Sequence, residues 1–153
     1  MNMAMPQKPT LDDTYLHEIT KPVQDHHAVE HIIKDMQHVM YAWRGQGIAA
    51  NQIGYTAQMC IINTKKTREV MINPQIVDTA KTFDVKEEGC LSLPGKKYMV
   101  PRFTSCTVIW YTPQGRRKQR KFKKHDARVV QHEIDHLFGV TIEDRFKQYY
   151  GKS

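Results

Sequence analysis

Apolar residues recur at helical spacing from Val29 to Trp43, through Ile32, Ile33, Met36, Val39 and Met40. The pattern predicts one amphipathic helix, with Gly45 as its stop. His26, His27, His31 and His38 fall mainly off the apolar stripe and belong on a solvated face. Beyond this helix the period shortens to two. Residues 59–63 and 69–73, separated by polar residues 64–68, read as a hairpin. Asn73-Pro74 should break the second strand, with further short strands at 75–78 and 82–85. Pro94-Gly95 marks a turn. Residues 104–111 alternate, placing Cys106, Val108 and Trp110 on one side, and a turn at 113–115 leads to a basic strand at 118–123. A second helix is predicted from an Asp126 N-cap to Phe138, stopped by Gly139. Residues 1–23, with Pro6, Pro9 and Pro22, read as an extended lead-in. Helix, many strands, helix is an α+β order, and one domain over residues 1–153 is the simplest organisation.

Composition narrows the class. At 153 residues, 40% hydrophobic and 25% charged, the chain is ordinary for a globular domain. No apolar run is long enough to cross a bilayer, and Met1 to Pro9 lacks the apolar core of a secretory signal. A cytoplasmic monomer is expected, with no membrane partner. Cys60, Cys90 and Cys106 are odd in number and widely spaced, so they read as reduced thiols. Cys60 and Cys106 sit in apolar strands as small buried residues. Cys90 differs, lying between Gly89 and Leu91 after Glu87 and Glu88. The net charge is +7, and seven cations fall between Arg116 and Lys124. That segment reads first as a solvated cationic hairpin edge, and second as a patch for a polyanion such as ribosomal RNA.

The chemistry concentrates in His132-Glu133-Ile134-Asp135-His136. Four residues turn a helix by about 400°, so both imidazoles leave one face about one turn apart. Two rings so placed can bind one transition metal, with Glu133 beside them as a base toward water. Two protease arrangements carry this pattern, and neither is completed here. A glutamate on a later helix has little room, since only Glu143 and Asp144 follow. A third histidine six residues on is absent, because that position is Ile142. Gly89-Cys90-Leu91 could be a core turn, but beside a histidine pair its cysteine is better read as a thiolate ligand, since sulfur on a dication is deprotonated. The Gly45-Gln46-Gly47 segment follows a helix rather than a strand, which argues against a dinucleotide loop. Its glycines read as positions where a substrate backbone comes close.

Gly45-Gln46-Gly47-Ile48-Ala49-Ala50-Asn51-Gln52, Glu88-Gly89-Cys90-Leu91-Ser92 and Gln131-His132-Glu133-Ile134-Asp135-His136-Leu137 resemble, in order and spacing, the three signature motifs of peptide deformylases. The resemblance extends from about Tyr15 through Gly139, including Ile72-Asn73-Pro74 and Val100-Pro101-Arg102. It implies short antiparallel sheets surrounding a central metal-binding helix. It also implies that Cys90, His132 and His136 hold one divalent metal, with water in the fourth position. Fe2+ is the native ion implied, with Zn2+, Ni2+ or Co2+ able to replace it. Glu133 would accept the water proton and pass one to the departing amine of an N-formylmethionyl peptide, releasing formate. The Gln52 amide and the Leu91 backbone N–H would donate to the developing oxyanion. Gly47, Ile48 and Gly89 would contact the substrate. Glu88 would orient the site by anchoring Arg102 rather than bind the metal.

The chain departs from the family pattern at four positions near the cleft. Gln46, Lys86 and Arg128 stand where apolar residues are common, and Lys97 replaces a frequent arginine. The first three imply a more polar pocket rim. The chain stops at Ser153, which resembles the short forms among phage-encoded deformylases. Without a long C-terminal helix, segment 116–124 is the expected ribosome contact.

Overall fold

The computed structural model describes residues 13–151. Four α-helices occur among them: α1 (Asp13–Leu16), α2 (Glu30–Ala42), α3 (Lys124–Leu137) and α4 (Ile142–Tyr150). The strands are β1 (Gly47–Ala49), β2 (Met59–Asn63), β3 (Arg68–Thr79), β4 (Phe83–Cys90), β5 (Leu93–Phe103), β6 (Ser105–Tyr111) and β7 (Arg117–Lys123). A five-stranded antiparallel sheet has the order β1-β2-β3-β6-β7, and β4 pairs only with β5. The fold is α+β.

Strand alternation builds a core on each face of the larger sheet. Cys60 and Ile62 of β2 face α3, where they join Val108, Trp110, Val130, Ile134 and Leu137. Met59 and Ile61 face the other way and meet Ile32, Ile33, Met36, Val39 and Met40 of α2. Burying each such side chain contributes about 1.5–3 kcal/mol, so the two helices are fixed mainly through these stripes. His27, His31 and His38 are not part of either core, and all three are exposed. Trp43 ends the apolar stripe but is 49% exposed, because it caps α2 rather than continuing it.

Several elements differ from the sequence reading. Asn73-Pro74 does not break its strand. Asn73 adopts φ 51°, its side chain bonds both Val23 N and Val23 O at 2.8 Å, and a register shift between Ile72 and Gln75 absorbs the proline. The strand therefore continues to Thr79 as a bulged β3. Pro94-Gly95 lies inside β5, and the tight connection falls at Leu91-Ser92, where Cys90 pairs with Leu93. Gly45 is not the left-handed residue after α2; Arg44 is, at φ 55°. Gly45 instead approaches Leu91, where an added Cβ would stand 2.9 Å from Leu91 Cδ1. The second helix begins at Lys124, and Asp126 lies in its first turn, accepting from Thr67 Oγ1 at 2.5 Å. Gly139 ends that sequence at φ 78°, pressed against the His17 carbonyl. The lead-in contains helix α1 and a parallel bridge from Lys21 to Ala57; its first twelve positions lie outside the described residues. Helix α4 has no counterpart in the sequence reading. Thr141 and Asp144 form its capping box, and Phe146 packs its ring on Tyr98 of β5 at 5.3 Å.

Candidate metal centre

Helix α3 carries His132 and His136 on one face, with ring centroids 5.0 Å apart. The end of β4 brings Cys90 to them. One ligand atom from each of Cys90, His132 and His136 lies within 4.8 Å of the others, and Cys90 Sγ is 3.4 Å from His136 Nε2. The Glu88 carboxylate accepts from His132 Nδ1 at 3.0 Å, so Nε2 is the ring atom left with a lone pair. His136 Nδ1 is buried without a hydrogen-bond partner among the described residues. Three converging soft and borderline donors, two of them oriented by the helix, fit a divalent transition metal.

Glu88 is held by three cationic or potentially cationic groups. Arg102 donates to it twice, from Nε and Nη2, each at 3.0 Å. Arg128 Nη1 donates to its Oε2 at 2.5 Å. Burial pushes the Glu88 carboxyl up, but hydrogen bonds from His132 and Arg102 and their charges outweigh this and hold it well below the usual carboxylate range. Arg102 also reaches Asp135, which Arg145 grips through Nε and Nη2. The Glu88–Arg102 pair expected from the sequence is therefore present. Arg128 lines the cleft but is 7% exposed, and Val100 O and Asp84 accept from its Nη1 and Nη2. Arg128's network is not legible in the sequence, because it joins segments 28 to 44 residues apart in the chain.

Glu133 is 5% exposed, and its Oε1 has no hydrogen-bond partner among the described residues. Burial raises its carboxyl from 4.5 to about 7; the nearby His132 and Arg102 charges oppose this and Glu88 adds to it. Burial pushes the His132 imidazolium down, but hydrogen bonds to Cys90 and Glu88, with the Glu133 charge, raise it to about 10. His136 goes the other way, well below its ordinary value, through burial and the His132 charge.

The remaining sequence-predicted residues mostly gather at the same cleft, a cavity of about 610 Å³ lined by Gly47, Gln52, Gly89, Cys90, Leu91, His132 and Glu133 among others. Gln52 is fixed at both ends. Its Oε1 accepts from Ala49 N at 2.9 Å, and its Nε2 donates to Ser92 Oγ at 3.1 Å and faces Cys90 Sγ at 3.6 Å. Ser92 is 1% exposed, a positioning residue that sequence reasoning missed, though it closes the same motif as Cys90. Asn51 was missed too; its Nδ2 donates to His136 O at 2.6 Å and ties the Gln52 turn to α3. Ile48 does not line the cleft. Its side chain is wholly buried on the α2 side of the sheet. Gly47 has a second reason to be a glycine beside the one expected: an added Cβ would stand 2.7 Å from Glu133 Oε2 and 2.9 Å from Ile61 O.

The sequence profile of the polypeptide deformylase family matches residues 9–151. The chain belongs to that family. The peptide deformylase of Synechocystis sp. (strain ATCC 27184 / PCC 6803 / Kazusa) is 37% identical over 123 residues, covering 77% of this chain and 66% of the relative. A peptide deformylase of Prochlorococcus marinus is 40% identical over 122 residues, covering 76% of this chain and 60% of the relative. The chain thus spans less than two thirds of these relatives' lengths. Among solved structures, the peptide deformylase from Thermotoga maritima superimposes with a TM-score of 0.88 at 31% identity, covering 94% of this chain and 99% of that one. The deformylase from the Vibrio parahaemolyticus bacteriophage VP16T, solved in complex with actinonin, gives 0.85 at 34% identity, covering 88% and 99%.

Proposed function

We propose that this chain is a metal-dependent hydrolase that removes the formyl group from N-formylmethionyl peptides. The observation that carries the reading is Glu133: a buried carboxylate with an oxygen unpartnered among the described residues, its pKa near neutral, beside the Cys90–His132–His136 triplet. Those three residues hold one divalent ion; Fe2+ is the native ion we assign, with Zn2+, Ni2+ or Co2+ as replacements. When bound, the ion supplies a Lewis acid that polarises the formyl carbonyl and acidifies water.

Each step then has a residue. Glu133 accepts the proton of the attacking water and returns one to the leaving amine, so formate departs and a free amino terminus remains. As negative charge builds on the formyl oxygen, the Gln52 amide and the Leu91 N–H donate to it. Such donors are each typically worth about 3–4 kcal/mol. Ser92 and Ala49 lock the Gln52 side chain beforehand, so it need not reorganise during reaction. Among the described residues the main chain of β1 pairs only with β2, which leaves its other edge for a peptide added as a strand. Gly47 and Ile48 act there through backbone groups, and Gly89 borders the opposite wall.

The test is formate release from formyl-Met-Ala, with acetyl-Met-Ala as the comparison, using protein purified anaerobically and assayed for metal by elemental analysis. Deformylation of the first, little hydrolysis of the second and one metal per chain are expected. Equal hydrolysis of both refutes a formyl-specific site. Glu133→Ala should retain metal and lose turnover by orders of magnitude; near-native turnover removes Glu133 as the base.

The hairpin of β6 and β7 is the proposed ribosome contact. Lys118 and Arg120 pair with Glu69 and lie over Trp110, whereas exposed Arg117, Lys121 and Lys123 have no carboxylate partner among the described residues. Binding should weaken as salt rises; salt-insensitive binding, or none, refutes this contact.

A further inference from the structure

The cleft mouth carries an unbalanced charge. Arg44, Lys86, Lys96 and Lys97 all line it, and all four are exposed. They come from two walls: Arg44 from the connection between α2 and β1, the lysines from the β4–β5 hairpin. Among the described residues Arg44, Lys96 and Lys97 have no carboxylate partner. Lys86 has only Asp84, 3.8 Å away, with both side chains about half exposed or more. The cleft's own carboxylates do not offset them. Glu88 is saturated by Arg102, Arg128 and His132, and Glu133 is buried at the reacting end. Glu87 is the one exposed carboxylate on the cleft wall among the described residues.

We propose that this rim makes the enzyme select formylated peptides with acidic side chains immediately beyond the methionine. The proposal rests on the deformylase reading above. A peptide laid along the β1 edge sends successive side chains to opposite sides. With cations on both walls, an acid at either of two successive positions meets positive charge. A cleft lined by one sign of charge also raises the local concentration of oppositely charged substrate. The preference should therefore appear in kcat/KM, mainly through KM and association, and should be screened by salt.

The experiment compares formyl-Met-Asp-Asp, formyl-Met-Asn-Asn and formyl-Met-Lys-Lys with the metal-loaded full chain. At about 0.01 M ionic strength, where the Debye length is roughly 30 Å, kcat/KM should fall by about tenfold from the acidic to the basic peptide, with the amide peptide between. At about 1 M, where that length is roughly 3 Å, the three should converge. The combined Arg44→Gln, Lys96→Gln, Lys97→Gln variant should bring the acidic-to-basic ratio close to one at low salt. Lys97→Gln alone, a smaller perturbation of the fold, should lower it part of the way. Equal kcat/KM for the three peptides, or a preference that survives the combined variant, overturns the rim assignment while leaving deformylation intact. Failure to release formate from the Asn-Asn peptide overturns the deformylase reading itself.

Discussion

Replacing Gly47 with alanine asks why a glycine stands beside Glu133. The new Cβ would lie 2.7 Å from Glu133 Oε2 and 2.9 Å from both Glu133 Cγ and Ile61 O. Ordinary contacts between carbon atoms want about 3.5 Å or more. Ile61 O belongs to the β1–β2 ladder and yields little, so Glu133 must withdraw by roughly 0.5–1 Å. A misplacement of about 1 Å at a reacting centre costs on the order of 100-fold. The expected result is a fall in kcat of about 10–100-fold with KM for formyl-Met-Ala little changed. Overpacking should also cost about 1–3 kcal/mol of stability, roughly 3–10 °C in the melting temperature of a chain this size. Formate release, thermal unfolding and elemental analysis on the same samples separate these effects from metal loss. In a Glu133→Ala background two of the three close contacts vanish, so the stability cost of Gly47→Ala should shrink by about 1 kcal/mol. A variant with native kcat and a raised KM would refute the reasoning, because the glycine would then serve the substrate backbone, as the sequence alone implies.

Cys90→Ala should lose stoichiometric metal with the fold retained, and full occupancy after dialysis would remove Cys90 from the ligand set. Arg102→Ala takes one guanidinium from buried Glu88 and one contact from Asp135, while Arg128 and Arg145 remain on them. Such a loss should cost about 3 kcal/mol and weaken metal binding about tenfold; unchanged melting with full metal content would contradict it. In metal-free protein Glu133 and His132 should each lose stability as pH rises, whereas His136, held well below its ordinary 6.5, should gain it on the way up to that value. Glu133 is raised from 4.5 to about 7, so the folded state binds its extra proton between those values and its own contribution falls across that window, by about 3 kcal/mol. His132 is raised from 6.5 to about 10, so its contribution is complete below 6.5 and lost as pH climbs through 10. Urea titrations of chelated protein should show the His132 loss, and Glu133→Gln should make the slope between about pH 5 and 7 more positive; an unaltered slope there would refute the Glu133 assignment.

What could be read from the sequence was what short-range periodicity encodes. The stripe from Ile32 to Met40 and the alternation of Cys106, Val108 and Trp110 both end up buried as expected. Cys90, His132 and His136 converge because helix spacing fixes two of them and a recognisable motif names the third. Other features depend on partners distant in the chain. Asn73 can hold a left-handed bulge because Val23 satisfies its amide, which no local rule reveals. Ser92 acquires its role only once Gln52 is beside it. Arg128 reads as a polar intrusion at a pocket rim until Glu88 and Asp84 close on it. Helix α4 does carry a local signal, since Thr141 and Asp144 have capping-box spacing.

Cys90 belongs to the two-stranded sheet, whereas both histidines belong to the helix that covers the five-stranded one. The sheets share no backbone ladder. Any ion held by all three side chains is therefore a clasp between two separately hydrogen-bonded layers, and its binding energy is also docking energy. Glu88, with its arginines and His132, is a second fastening one pleat away. Losing the ion would leave each ladder whole while loosening the seam. The β4–β5 hairpin would then be the first part of the protein to exchange its amide protons.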